Sequence, residues 1–453
     1  MVGWKYMLVK QLIFFSLINS VSLIAAVKNF RGELAVRHND PGQQIDDVPG
    51  NKYWADLDLK YYYHRPFVDK EGKVDVSLRY NDANYLAFSV NEAQMTSLYN
   101  GLEITYGVQI LDWVEIDSVW GLGKLNNGEY FDFFNPGQAG LPGVRLKKKF
   151  NSGLVLDVFA SVLYIPQLNP MLNINARTDT ISSRSPWADV PASEIESTSP
   201  GQVPLKVRYK IEMPNIAKLM TQLTGGVNLK YSPYNNLHLS GFFVRKPENR
   251  LGNSARVVLE NSDITATITP QVYYHTLFGA QIASTFHDKK FKGYLSYYTS
   301  VPERKDNEFL GNTEDLFSGG NAGLGISLEQ YREDYLGAGM KYATDHTRAE
   351  IGYLARISDF TKESLLDGIP RWSGALNLKL DLDLSSKIST FLDAKYDLIT
   401  YDRLYQFSLV FHPRRDLFLQ AGVEIIGTPK SGKGFWVPYR ENDSIFAQAK
   451  MIF

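Results

Sequence analysis

The sequence predicts an all-β fold: a closed transmembrane antiparallel β-barrel of about sixteen strands (roughly 14–18), with short turns at one end and long loops at the other. Three observations carry this. From Arg371 to the C-terminus, apolar and polar residues alternate with period two, in runs of about ten residues, the length a tilted strand needs to cross a bilayer. The connections alternate between short and long along the chain. Aromatic residues reach 13%, which suits girdles at two membrane interfaces, whereas a mean hydropathy of −0.23 is too low for a helical membrane protein.

The last strand is the clearest. Ile445, Ala447, Ala449, Met451 and Phe453 form one apolar set, and Gln448 and Lys450 lie in the other. The sequence ends on an aromatic, as bacterial outer-membrane barrels commonly do, so Phe453 is the predicted assembly signal. The bland alternative is an edge strand of a soluble β-sandwich.

The strands before it repeat the pattern. Trp372, Gly374, Leu376, Leu378, Leu380 and Leu382 alternate with Arg371, Ser373, Asn377, Lys379, Asp381 and Asp383. Ile388 to Tyr396, Tyr405 to Phe411 and Leu417 to Ile425 follow the same rule. The polar face carries full charges, so it is not a dry core. A sandwich would turn that face outward; a barrel turns it to an aqueous lumen and gives the apolar face to lipid.

Short turns are read at Asn151-Ser152, Ser232 to Asn236, His287-Asp288, Ala343 to His346, Leu384 to Ser386 and His412 to Arg415. They are rich in Asn, Asp, Ser and Pro. Long connections are read at Leu111 to Pro142, Pro166 to Thr224, Val301 to Glu333, Ser358 to Pro370 and Gly427 to Asp443. Counting back from a periplasmic Phe453, all five fall on the outer side, if Gly323 to Tyr342 is a loop followed by one descending strand. Phe30 to Arg37, Trp54 to Tyr63 and Val74 to Tyr80 also read as strands; a wall hairpin and a periplasmic cap are both open to them. Met213 to Leu223 reads as a short helix within a long loop, with Pro214 at its start and Gly225-Gly226 at its end, and is a candidate to fold into the lumen.

The front of the chain reads as an export signal over residues 1–26. Lys5 and Lys10 precede the apolar run Leu12 to Ala26, which ends in small residues. The run is short for a membrane span, though an anchor or a buried helix is the competing reading. Residues 27–453 then form one barrel domain. A net charge of −1 argues against a nucleic-acid partner. The absence of cysteine excludes disulfides, thiolate metal sites and cysteine nucleophiles.

The densest polar and aromatic cluster follows one strand: Gly107, Gln109, Trp113, Glu115, Asp117, Trp120 and Gly121. Here the chain resembles a porin-like family of Gram-negative outer-membrane barrels, much of it catalogued as a domain of unknown function. Members carry a glycine–arginine–glutamine strand running into a tryptophan and acidic loop; this chain has Gly107-Val108-Gln109, without the arginine. Further echoes are Leu141-Pro142-Gly143, Tyr164-Ile165-Pro166, Tyr331-Arg332-Glu333-Asp334 and the ending Asp443 to Phe453. The resemblance implies a barrel and passage of a solute, without naming the solute.

The residues expected to line or constrict a pore are Gln109, Trp113, Glu115, Asp117, Arg371, Lys379, Asp381, Lys395, Glu424 and Lys450. Glu115 and Asp117 admit two readings. One is a lumenal charge filter with weak cation preference; the other is a loop held by carboxylate–backbone hydrogen bonds. Basic residues from Arg348 to Lys450 nearly balance the acidic ones, which argues against strong ion selectivity in that half. In Arg145 to Lys149, Arg145, Lys147 and Lys149 should face the lumen and Lys148 the lipid interface. The glycines of Gly323 to Gly339 read as easing strand curvature.

Seven histidines are scattered without metal-ligand spacing. No metal, cofactor or catalytic residue is predicted, and the chain is read as no enzyme. The expected function is an outer-membrane porin-like channel or transporter for small solutes, apolar or weakly charged. Its partners would be outer-membrane lipid, the barrel-assembly machinery, the solute and a homo-oligomer. The rivals are a barrel enzyme of lipase or protease type, needing a His–Ser–carboxylate cluster, and a plugged surface or adhesion barrel. The long Ser-, Thr- and Pro-rich stretch Pro166 to Pro204 feeds the latter.

Overall fold

A computed structural model describes residues 30–41, 53–65, 70–81, 85–129, 132–167, 205–260, 263–303, 324–327, 332–358, 371–429 and 435–453 (441 apart), with short stretches of 173–195. The expected export signal lies outside the described residues.

Eighteen strands hydrogen-bond into one antiparallel sheet, within the range the alternation predicts. The first, Phe30–Pro41, pairs with the last, Ser444–Ile452, from Glu33 opposite Ile452 to Pro41 opposite Ser444. The sheet therefore closes on itself and its wall leaves no strand edge to satisfy. Beyond the last strand, the backbones of Gly32 and Phe453 exchange hydrogen bonds of 2.9 and 3.0 Å. The N-terminal segments with weak alternation are wall strands, Phe30–Pro41, Tyr53–Arg65 and Lys70–Asn81, in continuous register with each other.

Side-chain faces follow the alternation. Leu378 and Leu409 are 45% and 48% exposed, whereas their neighbours Asn377 and Ser408 are 3% and 0% exposed. Leucines outside and polar residues inside are the reverse of a soluble sandwich and the arrangement of a lipid-facing wall. Tyr99, Phe150, Tyr234 and Phe286 are exposed beside the short turns, and Tyr53 and Tyr401 at the opposite end. They form the two aromatic girdles. Lys148 lies partly exposed on the outer face and its Nζ donates to the Asn100 carbonyl at 2.8 Å, so the charge is drawn toward the turn, as expected. The turn it meets has positive φ at both Asn100 (49°) and Gly101 (70°), the geometry that fits a two-residue hairpin to the twist of its strands.

All five expected long connections leave the same end. A sixth, between the strands Leu237–Pro247 and Tyr274–Phe286, carries the hairpin Gly252–Glu260 and Asp263–Gln271. That hairpin joins Glu194–Ile195, Leu205–Ile211 and Leu324–Ser327 in a separate five-stranded sheet. Its alternation is the same as that of the wall; only its partners differ. The expected helix forms over Ile216–Met220, capped by the Asn215 side chain. It has no buried residue, so it takes no part in the packed filling of the lumen, contrary to the sequence-based expectation.

Candidate functional site

Residues 110–129 and 132–140 lie between the wall strands Leu102–Gln109 and Leu141–Lys149. They fold inward and form a lid across the lumen. Its apolar residues Leu111, Val114, Ile116, Leu122, Leu125, Phe133 and Phe134 are all at least nine-tenths buried. A closed barrel of this size is wide enough for water unless something fills it, and here the filling comes from the chain's own loop.

The lid is held around the barrel's circumference. Trp113 Nε1 donates to Asp157 Oδ2 at 2.9 Å, and Arg145 braces the same carboxylate at 2.8 and 2.6 Å. Glu115 opens the short helix Glu115–Trp120 and is ion-paired to both Lys292 and Lys341, the latter at 2.7 Å. Lys124 Nζ reaches Glu333 at 3.1 Å. Asn249 Nδ2 donates to the carbonyls of Lys124 (3.2 Å) and Asn126 (2.6 Å). Opposite, Asp132 lies 3.8 Å from Arg37, which is itself ion-paired to Glu424. Two wall glycines make room: a Cβ on Gly337 would come within 2.5 Å of Ile116, and one on Gly226 within 3.0 Å of Trp113. The expectation that glycines near 337 ease curvature thus gives way to a packing reason.

An aromatic cluster completes the lid from other loops. Phe133 packs edge-on against Trp187, Phe435, Trp436 and Tyr439 with centroids 5.0–5.7 Å apart. Trp372 bridges Trp120 at 6.2 Å and Trp436 at 5.5 Å. Each such ring buries a large apolar area, on the order of 1.5–3 kcal/mol apiece.

Against the lid lies a cavity of about 570 Å³. Lid and aromatic-cluster residues Trp120, Phe133, Phe134, Trp372 and Trp436 line one side of it. The walls are charged and mixed in sign: Asp58, Lys60 and Arg79 on the N-terminal strands, and Lys341, Glu350, Lys379, Asp393 and Lys395 on the C-terminal ones. All of the latter but Lys395 belong to a staircase of directly opposed residues. Lys292 faces Lys341, Lys341 faces Glu350, Glu350 faces Lys379, Lys379 faces Asp393, Asp393 faces Gln406, and Gln406 faces Glu424. Strand tilt carries this row from beside the turn at Lys290 to the outer end of the wall.

The expected pore residues divide between different places. Lys379 and Lys395 lie on the cavity. Gln109, 0% exposed, bonds to the Gly143 carbonyl, and Trp113 is sealed against Asp157. Glu424 is buried with Arg37. Arg371 lies 3.6 Å from Glu333, beside the Lys124 contact. Lys450 pairs with Glu33 at 2.5 Å, on the closing seam. Asp381 faces Arg348 and Phe391 in register and is not among the cavity residues.

Glu115 and Asp117 do not form an open acidic constriction. Burial pushes the Glu115 carboxyl up, but hydrogen bonds from Lys292 and Lys341 outweigh it and hold the group below the usual carboxylate range. Its charge is compensated where it sits. Asp117 is 4% exposed and accepts from the amides of Lys124 and Leu125, both at 3.2 Å. Burial pushes its carboxyl up against those bonds. Of the two sequence readings, loop support is the one this geometry fits.

Sequence reasoning passed over Phe391 and the cavity residues of the first strands. Phe391 stands on the wet face between Ser389 and Asp393, an aromatic in a polar set. Asp58 and Lys60 belong to a run whose register was too weak to assign.

Among the described residues three Ser–His pairs occur: Ser232–His238, His275–Ser300 and Ser389–His412, at 2.9, 3.1 and 3.0 Å. Among the described residues, no carboxylate is hydrogen-bonded to any of these three histidines.

No family model and no curated protein matches the chain. Among solved structures, it is similar to OccAB2 of Acinetobacter baumannii, with 10% identity over 94% of this chain and 98% of that one, at a TM-score of 0.43. OccAB4 of the same organism covers the same shares at 10% identity and 0.44. A mutant of the Rh. blastica porin covers 94% and 99% at 9% identity and 0.39. The likeness is one of fold alone. The closed ladder, the apolar belt with its two girdles, and turns at one end with long loops at the other stand without it. The protein is a transmembrane β-barrel of the outer-membrane type.

Proposed function

We propose that this barrel is a channel for small solutes that are apolar or weakly charged, narrowed by its own inward-folded loop. The observation that carries this reading is the cavity of about 570 Å³ beneath the lid, bounded by side chains of both signs. A barrel meant only as a surface scaffold has no need of a polar chamber within its wall, whereas a filter does. Compensated charges on the walls favour a channel with little ion selectivity. The reading includes removal of residues 1–26 on export and insertion through recognition of Phe453 by the assembly machinery.

The test is planar-bilayer recording of the purified protein. Discrete conductance steps with a reversal potential near zero across a salt gradient are expected. Silent membranes, even after the lid is loosened by substitution, would favour the plugged surface barrel.

A further inference from the structure

We propose that the cavity under the lid is a binding site for a neutral, polyhydroxylated solute, a mono- or disaccharide. The site itself is argued from the cavity; only the route by which the sugar arrives rests on the channel reading.

Three features converge. The first is chemical mixture. Trp120, Trp372 and Trp436 meet the cavity on one side, and Phe391 stands among the charges of the wall. A sugar ring has an apolar C–H face and a polar rim, so it is held by an aromatic surface beside planar polar groups. An ion or a purely apolar solute would use only half of that lining.

The second is hydrogen-bonding capacity without a protein partner. The indole N–H groups of Trp120 and Trp436, both 1% exposed, have no acceptor. Arg79 Nε is bonded to Asp56 at 2.8 Å, while its Nη1 has no partner. Glu350 Oε2 lies 4.0 Å from Lys341, while Oε1 has none. Asn377 Oδ1 and Asp393 Oδ1 are likewise without a donor. Donors and acceptors are both present, and hydroxyl groups are the solute groups that serve both at once.

The third is charge. Most cations of the walls sit beside carboxylates: Lys60 is 3.5 Å from Asp75, Arg79 2.8 Å from Asp56, and Lys379 faces both Glu350 and Asp393 in register, whereas Lys395 faces Asn377 and Leu404. Compensated charges keep their hydrogen-bonding power but present a weak net field. An anionic or cationic solute gains little from such walls, and a zwitterion finds no separated positive and negative poles. The volume falls within the range of small-molecule sites.

The experiment uses the full-length protein purified in detergent. Three of its seven tryptophans line the cavity, so intrinsic fluorescence reports on it directly. Titration with maltose and sucrose should give a saturable change, and Asp393→Asn, which leaves every observed hydrogen bond of the wall in place, should weaken it about tenfold, as for one lost charged hydrogen bond. Glu350→Gln is the second variant, and heat-modifiable migration checks that both still form the barrel. Saturable binding of glycine, arginine or glutamate with no response to either sugar would overturn the proposal in favour of a zwitterion or ion site. So would a flat response to all five probes. Proteoliposome swelling separates the two readings: sugar binding without swelling removes the channel and keeps the site, while swelling with every solute and no saturable binding does the opposite.

Discussion

The ring of Phe453 occupies the space that a side chain on residue 32 would need, while the backbones of Phe453 and Gly32 exchange hydrogen bonds. The last residue and an early residue of the first wall strand thus close the barrel as a fitted pair. Gly32→Leu should expel the ring and weaken the seam. We expect heat-modifiable migration to be lost at a lower temperature than in the wild type. Phe453→Ser should additionally leave more protein in the periplasm, open to proteolysis. Wild-type migration and wild-type outer-membrane levels in both variants would separate the pair from assembly.

The lipid-facing register can be tested at Leu378. Arginine there places a charge against acyl chains and should cost about 2–4 kcal/mol at mid-depth. Lys379→Gln, on the wet face one residue on, should cost less, about 0–1 kcal/mol, for its exposed pairing with Glu350 and Asp393. The check is the urea midpoint of folding into vesicles for both variants. Ser408 is a poor control despite facing inward, because at 0% exposure it has no room for a long side chain.

Lid seating depends on Gly337. A leucine there would collide with Ile116 and unseat the helix Glu115–Trp120. Conductance in planar bilayers should rise, and the emission of the lid tryptophans should shift to the red. Unchanged conductance together with unchanged emission would show that the lid tolerates the collision.

Glu115 gives a second handle on the lid. Glu115→Gln leaves Lys292 and Lys341 facing each other without their shared counter-charge. The expected cost to the closed lid is about 1–2 kcal/mol. This is less than the loss of a fully buried pair, because both lysines remain about a third exposed. Ion selectivity should change little, since the carboxylate is already compensated. A double substitution with Asp117→Asn should act on loop folding, by weakening the bonds to the Lys124 and Leu125 amides. A large shift of reversal potential in the single variant, with the lid still seated, would restore the charge-filter reading.

The same ion pair predicts a response to acid. The Glu115 carboxyl is depressed in the folded lid, so its stabilisation is fully present above its unfolded value of about 4.3. It is lost as pH falls through the lower folded value. Lid opening, read as rising conductance or red-shifted emission, should therefore set in below about pH 4 and be reduced in Glu115→Gln. Onset near neutral pH would assign it to another group.

Much of this architecture is local and therefore legible in the residues themselves. Period-two alternation in Gly374 to Asp383 or Leu404 to Phe411 fixes which face meets lipid, because strand geometry sends successive side chains to opposite sides whatever the strand pairs with. The alternation of turns and loops fixed the two ends of the barrel for the same reason. Partner choice is not local. The hairpin Gly252–Glu260 and Asp263–Gln271 alternates like wall strands, yet pairs with Leu205–Ile211 and Leu324–Ser327, outside the barrel. Only long-range hydrogen bonding separates the two cases. The lid is tertiary throughout. Nothing in the order Trp113, Glu115, Asp117 says that the first meets Asp157, the second is shared by Lys292 and Lys341, and the third turns inward to its own loop. Those partners lie 44, 177 and 226, and then only 7 and 8, residues away. Whether a carboxylate filters ions or seats a loop is set by the charges that surround it in space, and the closing of the barrel puts those charges there.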